Sequence, residues 1–295
     1  MVKKVYKFSH ISLSTSSKDS RVLPIASQVY EILNNAGIKV SFDNSLIDLQ
    51  RKLKKRSNSE AYIVKNSQLL IAIGGDGTML NCSRRYGSKG VPILGINLGK
   101  VGFLTDISPD EITTRLLEVI KGDFIKEKRS FLEASLQGAK DSYLALNEVV
   151  IHSGAIAQLI DFDLFINDRF VYRQKADGLI ISSPSGSTAY SLSGGGPIVL
   201  PSVKAITLLP MFPHSLLNTS PLVVDDDSKI KIEMIGKKSK AVLSMDSHNS
   251  IDLKEGNIVH LTMRKSSLTL IHPPGHDFFE ACRNKLGWSA ALTRN

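Results

Sequence analysis

The sequence predicts an α/β protein whose first part is built on a parallel sheet and whose second part is all-β. Three observations carry this expectation. Strand and helix signals alternate over roughly the first 125 residues, which argues for parallel strands joined by helices. Beyond about residue 126 the pattern changes to short, alternating, β-branched runs. The tail, Phe278 to Leu286 followed by Trp288, is helical again and is expected to pack back on the first part. The expected division is 1–125 plus 272–295 for the α/β domain and 126–271 for the all-β domain.

The first strand is expected near Lys4 to Ser12, with a turn-prone Ser/Thr segment after it. A helix follows, because Val22, Ile25, Ala26, Val29, Ile32, Leu33 and Ala36 recur at helical spacing and Gly37 can close the end. Ile38 to Phe42 returns as a strand. The basic run Arg51-Lys52-Leu53-Lys54-Lys55-Arg56 has no interleaved aromatics and reads as a solvated helix face. Leu69 to Ile73 is a buried strand, a short helix follows the glycines after it, and Pro92 to Asn97 is another strand. Ser108-Pro109-Asp110-Glu111 reads as a helix start, with Ser108 as cap and Glu111 placed for a capping box, and Gly122 as the stop. In the second part, Leu144 to His152, Ile160 to Ile166, Gly178 to Ser182, Lys229 to Met234 and Asn257 to Met263 read as strands.

Composition bounds the partners. The 295 residues are 42% hydrophobic, enough for two cores, and 37 Lys and Arg against 28 Asp and Glu give a net charge of +9. Such a charge suits a polyanion, but nothing in the chain resembles a base-stacking module, so no nucleic acid is expected. The two cysteines, Cys82 and Cys282, form no CxxC pair, which fits a reduced compartment. No apolar stretch is long enough to span a bilayer, and a cytoplasmic protein is expected. None of the seven histidines falls in HExxH or comparable spacing, so no metal ligands are assigned. Neither a GxSxG elbow nor a GxxxxGK[ST] loop occurs, which disfavours hydrolases and ordinary NTPases.

The chemistry concentrates at Gly74-Gly75-Asp76-Gly77-Thr78, between an apolar strand and a helix. Glycines let a phosphate approach the backbone, and the first N–H groups of a helix are unpaired donors at its positive end. Gly74, Gly75, Gly77 and Thr78 are therefore candidate phosphate ligands, for either a donor nucleotide or a dinucleotide pyrophosphate. Asp76 would repel a phosphate. It must hold a hydroxyl, a metal ion or a proton taken from a nucleophile, and the combination points to phosphoryl transfer to an alcohol.

A second loop, Ser182 to Pro197, is packed with small hydroxyls and glycines, and Tyr190 within it offers a ring for stacking. Short hydroxyls and exposed amides suit ribose, phosphate or an adenine edge. Asn147-Glu148 stands at the start of a strand-like run, either as a turn group or facing a cleft. Lys175 and Asp177 read equally as a surface ion pair or as part of a site, and His248, near a turn, reads as structural.

Together these segments resemble the NAD kinases, in particular the proteobacterial type that phosphorylates NAD with ATP. The resemblance rests on Gly74 to Thr78, Gly95 to Asp106, Leu146 to Val150, Ala176 to Ile180 with the Ser/Gly loop after it, Pro210 to His214 and Leu270 to Trp288. It implies an N-terminal α/β, Rossmann-like domain, a C-terminal β domain of sandwich type, a C-terminal segment returning to the first domain, and an active site between the two domains. By the same resemblance Asp76 is the catalytic residue engaging the 2′-hydroxyl of the adenosine ribose. Gly77, Asn147, Glu148, Gln158, Lys175, Asp177, Thr188, Ala189, Tyr190, Ser191, Leu192, Ser193 and His248 would bind NAD. At 158 His or Arg is commoner in the family and at 248 Gln. Ser183 and Ser185 replace threonines, and Leu98 stands where a polar residue is frequent. The resemblance further implies Mg²⁺ bound with ATP and a homo-oligomer, a dimer or tetramer. Two other functions share parts of the pattern. A diacylglycerol or sphingosine kinase-like enzyme shares the glycine turn but needs an apolar acceptor pocket, and a non-catalytic NAD-sensing regulator would have no use for Asp76.

Overall fold

A computed structural model describes residues 6–99, 102–154, 158–214, 220–235 and 241–288. The chain divides into two compact units, residues 1–128 with 268–295, and residues 129–267.

The first unit alternates strand and helix: β1 (His10–Ser14), α1 (Val22–Asn35), β2 (Lys39–Phe42), α2 (Ile47–Leu53), α3 (Glu60–Asn66), β3 (Leu69–Ile73), α4 (Asp76–Arg85), β4 (Ile93–Ile96) and α5 (Ile112–Lys121). The strands pair in parallel in the order β2-β1-β3-β4. β1 and β3 are buried at every position, as strands covered on both faces must be. The apolar face of α1, Val22, Ile25, Ala26, Val29 and Leu33, packs into the core with Ile11, Leu13, Leu69 and Ile71. Gly37 takes a left-handed φ of 71° past its end.

Several elements depart from the expected boundaries. The first strand begins at His10, later than Lys4; residues 4 and 5 of that span lie outside the described residues, and Lys7 instead donates its N–H to Ile120 O. The basic run is half helix: α2 ends at Leu53, Lys54 turns left-handed, and the segment onward is exposed. Residues Pro109–Glu111 form a 3-10 turn before α5, and the expected capping box is not made to the backbone. Ser108 Oγ donates instead to Glu111 Oε2 at 2.7 Å. Gly122 closes α5 with φ 104°.

The second unit contains most of β5 (Ile125–Leu136), then β6 (Ser142–Ala145), β7 (Glu148–Ser153), β8 (Ile160–Ile166), β9 (Arg169–Ala176), β10 (Gly178–Ser182), the short helix α6 (Tyr190–Ser193), β11 (Ala205–Met211), β12 (Leu222–Asp225), β13 (Ile230–Met234), β14 (Ala241–Met245) and β15 (Asn249–Leu253). One sheet is antiparallel in the order β12-β11-β10-β7-β14-β15. A second runs from β16 (Ile258–His272) through β13 and β8 to β9. The inward residues of both sheets, among them Val149, Ile151, Leu179, Ile181 and Leu243 from one and Ile160, Phe162, Leu164, Ile232 and Val259 from the other, share one core, which makes the unit a sandwich. The run expected from Leu144 to His152 is broken at Leu146-Asn147, and that from Asn257 to Met263 continues to His272.

The last residues of β16 belong to the first unit, where Leu270 pairs in parallel with Ile93 of β4. The helix after it, α7 (Phe278–Leu286), is part of that unit too, capped by Asp277, whose Oδ1 accepts the Phe279 N–H at 2.9 Å.

Candidate functional site

In the first unit the sheet order places β2 on one side of β1 and β3 on the other, so the direction of winding reverses between β1 and β3. A crevice opens at the carboxyl ends of the strands at such a reversal. The segments there are Ser14 to Ser17 after β1 and Gly74 to Thr78 after β3. Thr15 Oγ1 donates to Ile73 O at 2.7 Å, and Ser16 Oγ to Thr78 Oγ1 at 3.1 Å. Gly74 has φ 153°, and a Cβ there would lie 2.2 Å from Thr78 Oγ1, so only glycine lets the strand turn this tightly into the helix. Gly75 caps α4 in an extended conformation, and its carbonyl accepts the N–H groups of Thr78 and Met79. Gly77 is exposed and Thr78 buried. The first turn of a ten-residue helix thus follows two glycines, an arrangement that suits an anion.

Asp76 is the first helical residue and is half-buried. Its carboxylate turns to the loop after β4: Oδ2 accepts the N–H of Phe103 at 3.0 Å and Oδ1 that of Leu104 at 3.1 Å. Thr105 Oγ1 holds this loop closed, accepting from Gly102 N–H and from Asn97 Nδ2, both at 2.8 Å. Two donors fix the plane of the carboxylate, and each oxygen keeps a lone pair for a substrate hydroxyl.

In the second unit the centre is Asp246, in the turn after β14 at φ 48°. Its carboxylate accepts three successive backbone N–H groups, from Leu146 and Asn147 at 2.9 Å and from Glu148 at 3.2 Å, and its own N–H donates to Glu148 O. This explains the break between β6 and β7: the amides are drawn onto a side chain and leave the ladder. On the other side, Ser183 N–H donates to Asn147 O and Ser183 Oγ to Leu146 O. Gly186 sits so close that a Cβ would meet Asn147 O at 2.2 Å. The Ser183 hydroxyl is what this contact uses.

Asn147 and Glu148 are consequently buried at fixed positions, and Asn147 Oδ1, Glu148 Oε2 and Ser191 Oγ have no hydrogen-bond partner among the described residues. Burial, then the Asp246 carboxylate, push the Glu148 carboxyl up to about 7, with the Tyr190 N–H partly offsetting them. Buried polar atoms without partners are costly and mark places where a ligand supplies the bonds.

The Ser/Gly segment is more ordered than a loop. Ser185 to Thr188 form a 3-10 turn and Tyr190 to Ser193 one helical turn, braced by Ser187 Oγ to Pro184 O and Val199 O. Thr188, Ala189 and Leu192 are half-buried, Ser191 is buried, and Tyr190 and Ser193 are exposed. Gln158, Asp177 and Tyr190 line one cleft of about 430 Å³, with His152, Met211 and Ser247. Lys175, exposed at the end of β9, has its Nζ 3.9 Å from Asp161. His248 is exposed, and neither it nor Lys175 lines that cleft.

No histidine stands in a familiar metal-ligand spacing, yet among the described residues of the first unit Asp106, His272 and His276 bring a carboxylate and two imidazoles within 4.8 Å of one another.

A carboxylate at a glycine turn in a parallel-sheet unit and a polar cleft in a β-sandwich unit are the parts that a nucleotide-dependent kinase of two domains requires. Comparison with known proteins gives the family. Residues 12–124 match the ATP-NAD kinase N-terminal domain and residues 146–273 the ATP-NAD kinase C-terminal domain. The chain is 40% identical to the NAD kinase of Alcanivorax borkumensis over 287 residues, 96% of this chain and 95% of that one. It is 49% identical to that of Chromohalobacter salexigens over 229 residues, 76% and 78% of the two chains. Among solved structures it resembles yeast NADH kinase complexed with NADH, at 25% identity and a TM-score of 0.87, over 98% of this chain and 90% of that one. It also resembles an NAD kinase from Archaeoglobus fulgidus in complex with ATP, at 27% identity and a TM-score of 0.73, over 94% and 97%. The chain belongs to the NAD kinase family.

Proposed function

We propose that this protein transfers the γ-phosphate of ATP to the 2′-hydroxyl of the adenosine ribose of NAD. The observation that carries the reading is the Asp76 carboxylate, held by the Phe103 and Leu104 amides at the first turn of α4. A pure binder gains nothing from a carboxylate beside phosphates, whereas phosphoryl transfer needs a group to align the alcohol and take its proton.

Asp76 accepts the 2′-hydroxyl proton, and Gly74, Gly75, Gly77 and Thr78 take phosphate oxygens. Asn147, Glu148 and Ser191 offer NAD three buried atoms that lack partners among the described residues. With its carboxyl neutral below about pH 7, Glu148 can donate as well as accept. Gln158, Asp177 and Tyr190 line the cleft that would take an aromatic ring, with Thr188, Ala189, Leu192 and Ser193 around it and Lys175 and His248 at the margin. Mg²⁺ would arrive on the ATP phosphates. Around the glycine turn the oxygen groups on offer are the Asp76 carboxylate and the hydroxyls of Thr78 and Ser16, a set that fits an ion held mainly by phosphate and water. Bound there, the ion would neutralise charge on the transferring phosphoryl group.

The two cysteines are free thiols, in keeping with a cytoplasmic enzyme. Assembly as a homo-oligomer is supported by β9, a sheet-edge strand with Phe170 58% exposed, and light scattering tests it.

The test is direct. Purified protein with ATP, Mg²⁺ and NAD is expected to form NADP, read by an NADP-specific coupled reaction, and Asp76→Asn is expected to lose about 10²-fold or more in kcat while still binding NAD. No NADP from the wild-type protein overturns the reading, and near-normal kcat in Asp76→Asn overturns the role of Asp76. Among the described residues no helix is long and apolar enough to cross a membrane.

A further inference from the structure

Asp106 lies in the loop whose amides hold Asp76, and its carboxylate is shared by two histidines from the end of the chain. His272 Nδ1 lies 2.5 Å from Oδ2, and His276 Nδ1 lies 2.7 Å from Oδ1. The two imidazoles stack with centroids 3.8 Å apart and planes at 19°. His272 is buried, and its second nitrogen, Nε2, is 3.0 Å from Glu127 Oε2.

This is the donor set of a transition-metal site. One ligand atom from each of the two imidazoles and the carboxylate lies within 4.8 Å of the others, and an outer carboxylate orients the buried imidazole through its far nitrogen, leaving Nδ1 as the ligand atom. A cleft of about 200 Å³, lined by Asp106, His276, Gly102, Phe103, Glu111 and Arg115, opens beside the set and gives water a path to a fourth position. Ligand atoms around tetrahedral zinc stand about 3.3 Å apart, so to admit the ion the contacts to Asp106 must lengthen and the stacked rings must turn until both Nδ1 atoms face it.

We propose that Asp106, His272 and His276 bind a divalent transition metal of the zinc class, with water as fourth ligand, and that the ion stiffens residues 102 to 106 around Asp76. Hard Mg²⁺ does not suit two imidazoles, so this ion is distinct from the one that accompanies ATP.

The test uses the full chain, without an affinity tag that binds metal and without nucleotide, so its outcome is independent of the kinase reading. After chelator dialysis, one equivalent of Zn²⁺ is expected to be retained through gel filtration and to raise Tm by several degrees. Co²⁺ should give the visible absorption bands of tetrahedral coordination. Mg²⁺ should do neither. His276→Ala removes a ligand near the surface and is expected to fold while losing retention, bands and Tm shift; Asp106→Asn is the second variant should His276→Ala fail to fold. Less than stoichiometric zinc in the wild type, or equal retention by wild type and His276→Ala, overturns the proposal.

Discussion

Gly102 lacks a side chain because Asp76 occupies the space: a Cβ at 102 would lie 1.9 Å from Asp76 Oδ1 and 2.7 Å from Thr105 Oγ1. The two residues are 26 positions apart, and the close approach lets the next two amides reach the carboxylate. Gly102→Ala must push loop and carboxylate apart. A displacement near 1 Å costs about 10²-fold in rate when alignment carries the catalysis. The expected result is a fall of that order in kcat for NADP formation, with a far smaller change in KM for ATP. Wild-type kcat in this variant would mean that the position of Asp76 does not matter.

Gly74→Ala tests the phosphate cradle. The substitution meets Thr78 Oγ1 at 2.2 Å and places a side chain at φ 153°, so the turn must shift. Strain of this kind costs about 1 to 3 kcal/mol. KM for ATP or NAD should rise at least several-fold, and steady-state kinetics with each substrate varied in turn shows which phosphates the turn holds.

Asp246→Ala leaves three amides without their acceptor. Losing a set of charge-assisted bonds in a buried place costs about 2 to 4 kcal/mol. Thermal denaturation should show Tm lowered by several degrees, and the affinity for NAD should fall more than that for ATP, because Asn147 and Glu148 lose the support that fixes them. Asp246→Asn retains one acceptor oxygen and should fall between the two.

Glu148 gives the protein a pH dependence of known sign. Its folded pKa, about 7, exceeds the reference value of 4.5, so the folded state keeps a proton that the unfolded state releases. Its contribution to stability is therefore most favourable below about pH 4.5 and is lost as pH rises to about 7, the full change being on the order of 3 kcal/mol. Glu148→Gln should abolish this slope and make the protein more stable than wild type at pH 8. Denaturant midpoints for both proteins at pH 5 and pH 8 measure it; an unchanged slope in the variant would place its origin elsewhere.

Much of the fold was legible because its signals are local. Gly37 and Gly122 stop helices by backbone conformation alone, and the span of α7 follows from the spacing of its own residues. The same holds for β8 and β10, whose ends are marked by turns. β11, β14 and β15 escaped notice because each is recognisable only by what it pairs with. At the site, the glycine turn announces its chemistry, whereas the grip of the Phe103 and Leu104 amides on Asp76 does not. Nor does the turn at Asp246 reveal that its partners lie about a hundred positions earlier. His272 and His276 are four residues apart, but the carboxylate that joins them lies at 106, and Glu127 is supplied by a strand 145 residues away from His272. Long-range closure of this kind leaves no trace in local spacing.

The pairing of Leu270 with Ile93 orders events on the ribosome. The parallel sheet of the first unit has its last strand encoded after the entire β-sandwich, so this edge of the sheet stays open while the intervening residues are synthesised. The sandwich can close as soon as β16 emerges, but the N-terminal unit must wait with β4 uncovered, an edge able to pair with another nascent chain. A premature stop anywhere before residue 268 would therefore strand a half-finished sheet upstream, and the fault would appear in aggregation during synthesis rather than in the missing tail itself.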